Sequence, residues 1–135
     1  MTSHPIPYAH AGFGCVRPYL HGPVKLLDFI TQVFNAEEIE RHVYGPAKFH
    51  VELRIADSMV IVEAGDVDYG SDWPPNSIYV YVPDVDATYA LALKHGGASV
   101  AACEDKPYGE RQCGFKDMAG NMWWVATALQ ATRAS

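Results

Sequence analysis

Nothing in the sequence offers nucleic acid a groove. Ten Lys and Arg stand against 16 Asp and Glu, the formal charge is −6, and no run of basic residues occurs. A phosphate backbone is gripped by a clustered Lys/Arg stripe, so that partner is excluded. No apolar run approaches the roughly 20 residues a membrane span needs. Met1 to Gly14 has no basic start followed by an apolar stretch, so it does not read as a signal peptide. Cysteine is scarce and odd in number: Cys15, Cys103 and Cys113 show no C-x-x-C spacing. That usage is expected of reduced thiols in a cytoplasmic protein, not of a disulfide frame. No nucleophile elbow, phosphate-cradling glycine loop or dinucleotide fingerprint is present. Cys113 falls in a strand-like stretch with no helix N-terminus to acidify it, which argues against a reactive thiol. The acidic balance favours a neutral or cationic small molecule as ligand.

What is present is one half-domain written twice. At 135 residues the chain reads as a single domain, 1–135, able to bury roughly 68–70% of its unfolded surface. Val24, Leu27, Ile30 and Phe34 recur at helical spacing within Pro23 to Asn35, with proline near the first turn. Cys15 to Leu20 leads into that helix as a strand. Strand-like stretches follow at Glu38 to Tyr44, Phe49 to Ile55 and Met59 to Glu63. The pattern then restarts: Ser77 to Val82 as a strand, a helix from Asp86 to His95 capped by Asp84 or Asp86 and ended by Gly96-Gly97, then Ala98 to Cys103, Arg111 to Lys116 and Met122 to Thr127. Asp117 to Asn121 is the tight turn before the last strand. Residues 1–14 read as an irregular arm, 64–76 as a linker, and 128–135 as a frayed tail.

One strand–helix–three-strand unit cannot bury its own sheet, whereas two side by side can, and they enclose a concavity. The expected fold class is therefore α+β: two βαβββ modules, about 14–64 and 76–127, forming an incomplete barrel around a concave cleft, with both helices outside. Strand alternation assigns the faces. Phe49, Val51, Leu53 and Ile55 lie under a helix, and His50, Glu52 and Arg54 oppose them. Ile78, Val80 and Val82 oppose Ser77, Tyr79 and Tyr81. Val16 and Leu20 oppose Cys15, Arg17 and Tyr19. The second set of each strand carries more polar and aromatic groups than a solvated face requires, and it is the expected lining of the cleft.

Val82-Pro83-Asp84-Val85-Asp86-Ala87-Thr88, Tyr108-Gly109-Glu110-Arg111 and Asp117-Met118-Ala119-Gly120-Asn121-Met122-Trp123-Trp124, with His50-Val51-Glu52-Leu53, resemble the vicinal oxygen chelate superfamily. That superfamily includes glyoxalase I, extradiol dioxygenases and fosfomycin- and bleomycin-resistance proteins. The resemblance covers about residues 14–127 and is greatest to the glyoxalase/bleomycin-resistance-like branch. Its turn usually reads Asp-Pro-x-Gly-Asn; Met118 stands in place of the proline. The resemblance implies dimers of βαβββ modules. Metal-using members place ligands on the first and last strand of each module, and by the repeat register those slots are Cys15, Glu63, Ser77 and Trp124. Only Glu63 is a conventional hard donor, and a divalent ion needs three or four. No metal or other cofactor is expected there.

The remaining candidates each carry two readings. Trp124 is a stacking platform for a flat ligand or a plug in the cleft, and Trp123, pointing the other way, is core. Tyr79 and Tyr81 are ligand contacts or strand packing. His50 and Glu52 are a general base with its orienting carboxylate, two ligands of a relocated metal with Glu63, or a polar patch at a dimer contact. Arg111 aims at the cleft mouth, where it suits an anionic group, or pairs with Glu110 or Asp117. Arg17, beside Tyr19, has the same pair of readings. Asp66, Asp68 and Asp72 lack the glutamate that a calcium loop places at its twelfth position. His4, His10, His21, His42 and His95 show no ligand spacing and read as surface residues. The expected function is that of a dimeric, metal-independent small-molecule-binding protein that sequesters an aromatic natural product or drug. Its rivals are a lyase, isomerase or hydrolase acting on a small oxygenated metabolite through His50 and Glu52, and a dimerising or regulatory module.

Overall fold

A computed structural model describes residues 5–66 and 73–129, and shows two four-stranded sheets built on one plan. In the first module β1 (Tyr19–Gly22) leads to α1 (Lys25–Phe34), followed by β2 (Glu37–Gly45), β3 (Lys48–Ile55) and β4 (Ser58–Gly65). In the second, β5 (Ser77–Tyr81) leads to α2 (Val85–Lys94), β6 (Ala98–Lys106), β7 (Glu110–Lys116) and β8 (Met122–Ala128). The sheet orders are β1-β4-β3-β2 and β5-β8-β7-β6, so each module sets its first strand parallel beside its last. The other neighbours are antiparallel hairpins. This is an α+β fold of two βαβββ modules without a closed barrel. No helix among the described residues is long and apolar enough to cross a membrane.

Both helices form where the spacing predicts. α1 buries Leu26, Leu27, Phe29, Ile30, Val33 and Phe34, and ends at Asn35 in the left-handed region (φ 52°), which asparagine tolerates. α2 begins at Asp84, whose carboxylate accepts from the Ala87 N–H (3.1 Å). It ends at Gly96, where φ is 99°, a conformation open to glycine. Apolar residues of both modules form one buried cluster. α1 joins them: the Phe34 ring lies 4.7 Å from Trp123, and Phe29 lies 6.0 Å from Phe115. Val51 and Leu53 reach this core from β3, and Trp123 and Val125 from β8. With the helical faces turned inward to a shared core, the opposite face of each sheet looks outward.

One register differs from expectation. The first strand runs from Tyr19 to Gly22, not from Cys15 to Leu20. Pro18 has no N–H to give a ladder, and pairing starts at its carbonyl, which accepts from the Ile61 N–H (3.0 Å). Leu20 pairs with Val62 as Val80 pairs with Val125. Tyr19 therefore matches Tyr79, and His21 matches Tyr81. Cys15 lies outside the sheet, and the β1 neighbour of Glu63 is His21. Asp68, Asp72, His4 and residues 130–135 lie outside the described residues, as does part of the expected linker.

Candidate functional site

The outward face of the first sheet is a row of imidazoles around a carboxylate. Cross-strand pairing lines up His21 of β1, Glu63 of β4, His50 of β3 and His42 of β2. His50 Nδ1 donates to Glu63 Oε2 (2.6 Å), and His50 Nε2 lies 3.7 Å from Glu52 Oε2. The carboxylate that orients His50 is thus Glu63, its direct cross-strand neighbour, and not Glu52, two residues along its own strand. His21 Nε2 donates to the Trp73 carbonyl (3.0 Å), and the Trp73 ring also packs 4.7 Å from Tyr19. Tyr19 keeps its proton well into the alkaline range, chiefly through burial and then through the charge of Glu63.

Glu52 is held by the N-terminal arm. Arg17 Nη1 donates to Glu52 Oε1 (3.0 Å), and His10 Nδ1 lies 2.9 Å from both Glu52 Oε2 and Glu40 Oε2. The rest of the Arg17 fork fastens the arm itself, donating to the carbonyls of Gly14 (2.7 Å), Phe13 (2.9 Å) and His10. Arg54 lies over the Phe13 ring (5.1 Å). Burial raises the Glu52 pKa, but the His10 hydrogen bond and the charges of His10, Arg17 and His50 outweigh it and leave it below the ordinary value. The Glu52 hydrogen bond, then the charge of Glu40, pushes His10 upward. The histidines expected to be bare surface residues therefore include His10 and His21, both in contact with this face. His10 gave no signal because the arm has no periodicity, and His21 was missed because the expected first strand stopped at Leu20, whereas β1 runs on to Gly22.

The outward face of the second sheet is aromatic. Tyr79, Trp124 and Gly114 pair across β5, β8 and β7, and Tyr81, Ala126 and Gln112 form the next row. Trp124 lies flat over β7 because residue 114 has no side chain: a Cβ there would stand 2.6 Å from its ring. Gln112 Nε2 donates to the hydroxyls of Tyr79 (2.9 Å) and Tyr108 (3.2 Å). The Tyr79 and Tyr81 hydroxyls donate in turn to the two carboxylate oxygens of Glu110. Burial, then the Glu110 bond, pushes the Tyr79 phenol up to about 12. Tyr79 and Tyr81 remain 45% and 60% exposed, so their rings are open to a partner. Neither Glu110 nor Gln112 was an expected site residue: alternation along β7 sets both on this face, but the expected strand began at Arg111 and left Glu110 in the bend with Tyr108.

Two cavities adjoin the tyrosines. One of about 250 Å3 lies against β5 and is walled by Ile78, Tyr79, Val80 and Tyr81 on one side and by Pro18, Ile55, Ala56 and Val60 on the other. A larger one, about 610 Å3, has Tyr81, Val82, Pro83, Glu110, Ala128 and Ala56 as its walls. Arg111 takes no part. It alternates to the opposite face of β7, where it binds Asp86 (2.9 and 3.1 Å) and Asp105 (3.0 Å) in place of the expected Glu110 or Asp117. Asp117 instead accepts from the Ala119 and Asn121 N–H groups and from Trp123 Nε1 (2.8 Å), setting the angle at which β8 starts. Cys113 is fully buried and its thiol is pushed up to about 12 by that burial, in keeping with an unreactive group.

Of the expected site, Tyr79, Tyr81 and Trp124 share one face, and His50, Glu52, Arg17 and Tyr19 another; the helical core stands between the backs of the two sheets. A metal ringed by both modules does not fit these residues. On β5 and β8 the second module offers Ser77, Tyr79, Tyr81, Trp124 and Ala126, with no imidazole or carboxylate among them, and the one carboxylate named on this face, Glu110 of β7, is held by the Tyr79 and Tyr81 hydroxyls. In the first, the Glu63 carboxylate is taken up by His50. Among the described residues, His10, Glu40 and Glu52 gather three donors within 4.8 Å, but the Arg17 guanidinium 3.0 Å from Glu52 already supplies positive charge there.

No family model matches the chain. It is similar to the uncharacterized protein Mb0911c of Mycobacterium bovis, 32% identical over 108 residues, which are 72% of this chain and 70% of that protein. Among solved structures it is similar to TioX from Micromonospora sp. ML1, with a TM-score of 0.66 and 22% identity over 84% of this chain and 99% of that one. It is also similar to a member of the glyoxalase/bleomycin resistance protein/dioxygenase superfamily from Sphaerobacter thermophilus, with a TM-score of 0.63 and 20% identity over 84% and 97% of the two chains.

Proposed function

The chain belongs to one family with Mb0911c and has the fold of the glyoxalase/bleomycin resistance protein/dioxygenase superfamily, the vicinal oxygen chelate superfamily; on that premise we propose that it is a metal-independent, homodimeric small-molecule-binding protein that sequesters an aromatic natural product or drug. The observation that carries this reading is the open aromatic face of Tyr79, Tyr81 and Trp124, backed by Gln112 and edged by a cavity. Rings held at fixed angles over a polar floor suit a flat ligand with a hydrogen-bonding edge. Metal independence is supported by the donor chemistry of the second module. A cytoplasmic setting is supported by three free cysteines, one of them fully buried.

The dimer follows from two features. Each sheet has unpaired edges, and β2 is exposed along almost its whole length. The two halves of the expected site also face away from one another within a chain. A two-fold dimer that sets the first sheet of one chain opposite the second sheet of its partner would bring His50 and Glu63 to the far side of a ligand stacked on Trp124. Sedimentation tests the assembly, and a stable monomer at micromolar concentration would refute it. For the site, aromatic compounds are screened by thermal shift, and Trp124→Ala should weaken binding of a hit by roughly 1–3 kcal/mol, the usual loss at an aromatic anchor. Elemental analysis of protein purified without added metal should find no stoichiometric divalent ion.

One observation favours a second reading. His50, with Nδ1 fixed by Glu63 at 2.6 Å and its side chain one-third exposed, has the geometry of an oriented general base. If the protein is a lyase, isomerase or hydrolase using that base, His50→Ala should lower turnover by about 10²–10⁴ while leaving binding nearly intact.

A further inference from the structure

Glu110 is hydrogen-bonded without being neutralised. Both of its oxygens accept from phenols, and neither Tyr79 nor Tyr81 brings positive charge. Those two bonds hold the Glu110 carboxyl below its ordinary range, so it is ionised at neutral pH. The cations beside it are engaged elsewhere. Arg111, next in sequence, is on the other face with Asp86 and Asp105. Lys106, its partner across the strand, gives its ammonium to Glu104. Among the described residues, the Glu110 carboxylate is the one charged group on the wall of the larger cavity, whose other lining is Tyr81, Val82, Pro83 and two alanines.

The rings around that charge are arranged to strengthen it. Tyr79 and Tyr81 have centroids 5.6 Å apart and planes inclined by 59°, a tilted pair whose rings both remain largely exposed. A phenol that donates its proton to a carboxylate gains electron density in its ring, and a richer ring face attracts a cation more strongly. A metal ion is a poor match, since Glu110 belongs to no three-donor group among the described residues. An organic cation is a good one, because it presents diffuse charge and apolar surface together.

We infer that the ligand of this face carries a protonated or quaternary ammonium group on an apolar body, with the ammonium over the exposed ring faces of Tyr79 and Tyr81, beside the Glu110 carboxylate that their hydroxyls hold, and the body in the cavity beside Val82 and Pro83. This rests on the reading of the tyrosine and Trp124 face as the ligand site, and deepens it by naming the class of ligand. The overall charge of −6 acts in the same direction.

The test titrates the intact protein with benzyltrimethylammonium and with its neutral near-isostere 2-methyl-1-phenylpropan-2-ol, following tyrosine-ring resonances by NMR. The cation should bind at least about tenfold more tightly than the alcohol, the size of effect a desolvated cation–π site with a carboxylate gives. Glu110→Gln keeps the shape and removes the charge, and should bring the two ligands to within about twofold. Tyr81→Phe keeps the ring and should retain most of the preference. An alcohol that binds as tightly as the cation, or a preference that survives Glu110→Gln, overturns the inference. If Trp124→Ala then weakens both ligands alike, the site reading stands without the cation. If neither ligand moves the Tyr79 and Tyr81 resonances, the site reading fails as well.

Discussion

Replacing Arg17 by alanine separates its two readings, clasp or ligand contact. The side chain is 11% exposed and its partner Glu52 6%, so the pair is nearly dry. Its guanidinium makes one charge-assisted bond to Glu52 and three to carbonyls of the arm. Removing one partner of a buried pair costs about 3–5 kcal/mol, because the other charge stays buried and unpaired. His10 and His50 still face Glu52, which offsets part of that cost. The arm carbonyls recover water once they are released. Together these place Arg17→Ala at about 2–4 kcal/mol in equilibrium urea unfolding. Arg17→Lys keeps the charge without the fork and should recover less than half of the loss. The same variants should expose Tyr8 and Phe13 to chymotrypsin under native conditions. A loss under about 0.5 kcal/mol with the arm still protected would refute the clasp, since ordinary surface changes stay within that range. Ligand binding weakened in an otherwise unchanged protein would return Arg17 to the site.

The clasp should also depend on pH. His10 is raised above its ordinary 6.5, so its contribution is full below that pH and fades as pH climbs through the raised value. Glu52 is lowered below 4.5, so its contribution is full above that pH and fades as pH falls through the lowered value. The Tm difference between wild type and His10→Ala should therefore be widest between about pH 4.5 and 6.5 and should vanish in mild alkali; a difference constant to pH 9 would contradict this. Gly114→Ala places a methyl group on the Trp124 ring and on the end of Met122, and should cost about 1–3 kcal/mol while displacing the indole and impairing ligand binding. Asp117→Ala strands the Trp123 indole N–H and two backbone N–H groups in a buried turn, and should cost about 3–5 kcal/mol in urea unfolding.

The module plan was legible because it rests on period. The alternation of Val51, Leu53 and Ile55 against His50, Glu52 and Arg54 requires only that one face meet a helix, and the same alternation placed Trp123 in the core and Trp124 outside it. The register of β1 was not legible, since Val16 and Leu20 alternate as a strand would. Pro18 and the Arg17 bonds to backbone carbonyls remove that segment from the ladder, and a contact with the distant Glu52 leaves no local trace. The partner of His50 was misjudged for a related reason. Residues two apart on one strand are near in sequence, but a neighbour across the strand is nearer in space, and Glu63 could be chosen only once the β3–β4 hairpin register was known. Arg111 shows the reverse case: alternation alone sets it opposite Glu110 and Gln112, and attention to the bend at Tyr108 and Gly109 obscured that.

Placing the two modules in register exposes a division that neither half shows alone. Where the first sheet carries His21, Glu63 and His50, the second carries Tyr81, Ala126 and Gln112. The backbone plan is the same and the chemistry is opposite: one row holds titratable imidazoles about a carboxylate, the other neutral donors and aromatic faces. A fold that duplicates its concave face has no steric reason to keep the rows unlike, because both sit on equivalent strands over equivalent cores. Unlike rows become useful when both contact the same ligand, for then they fix which end of it faces which sheet. Within a chain the rows point apart, so that contact requires two chains. The aromatic row alone would hold a flat molecule in either direction, and the imidazole row alone would hold one poorly. The homodimer and the small-molecule site are therefore one proposal: weakening the dimer should weaken binding in step, at constant chain concentration, and binding that persists in a fully monomeric variant would separate them.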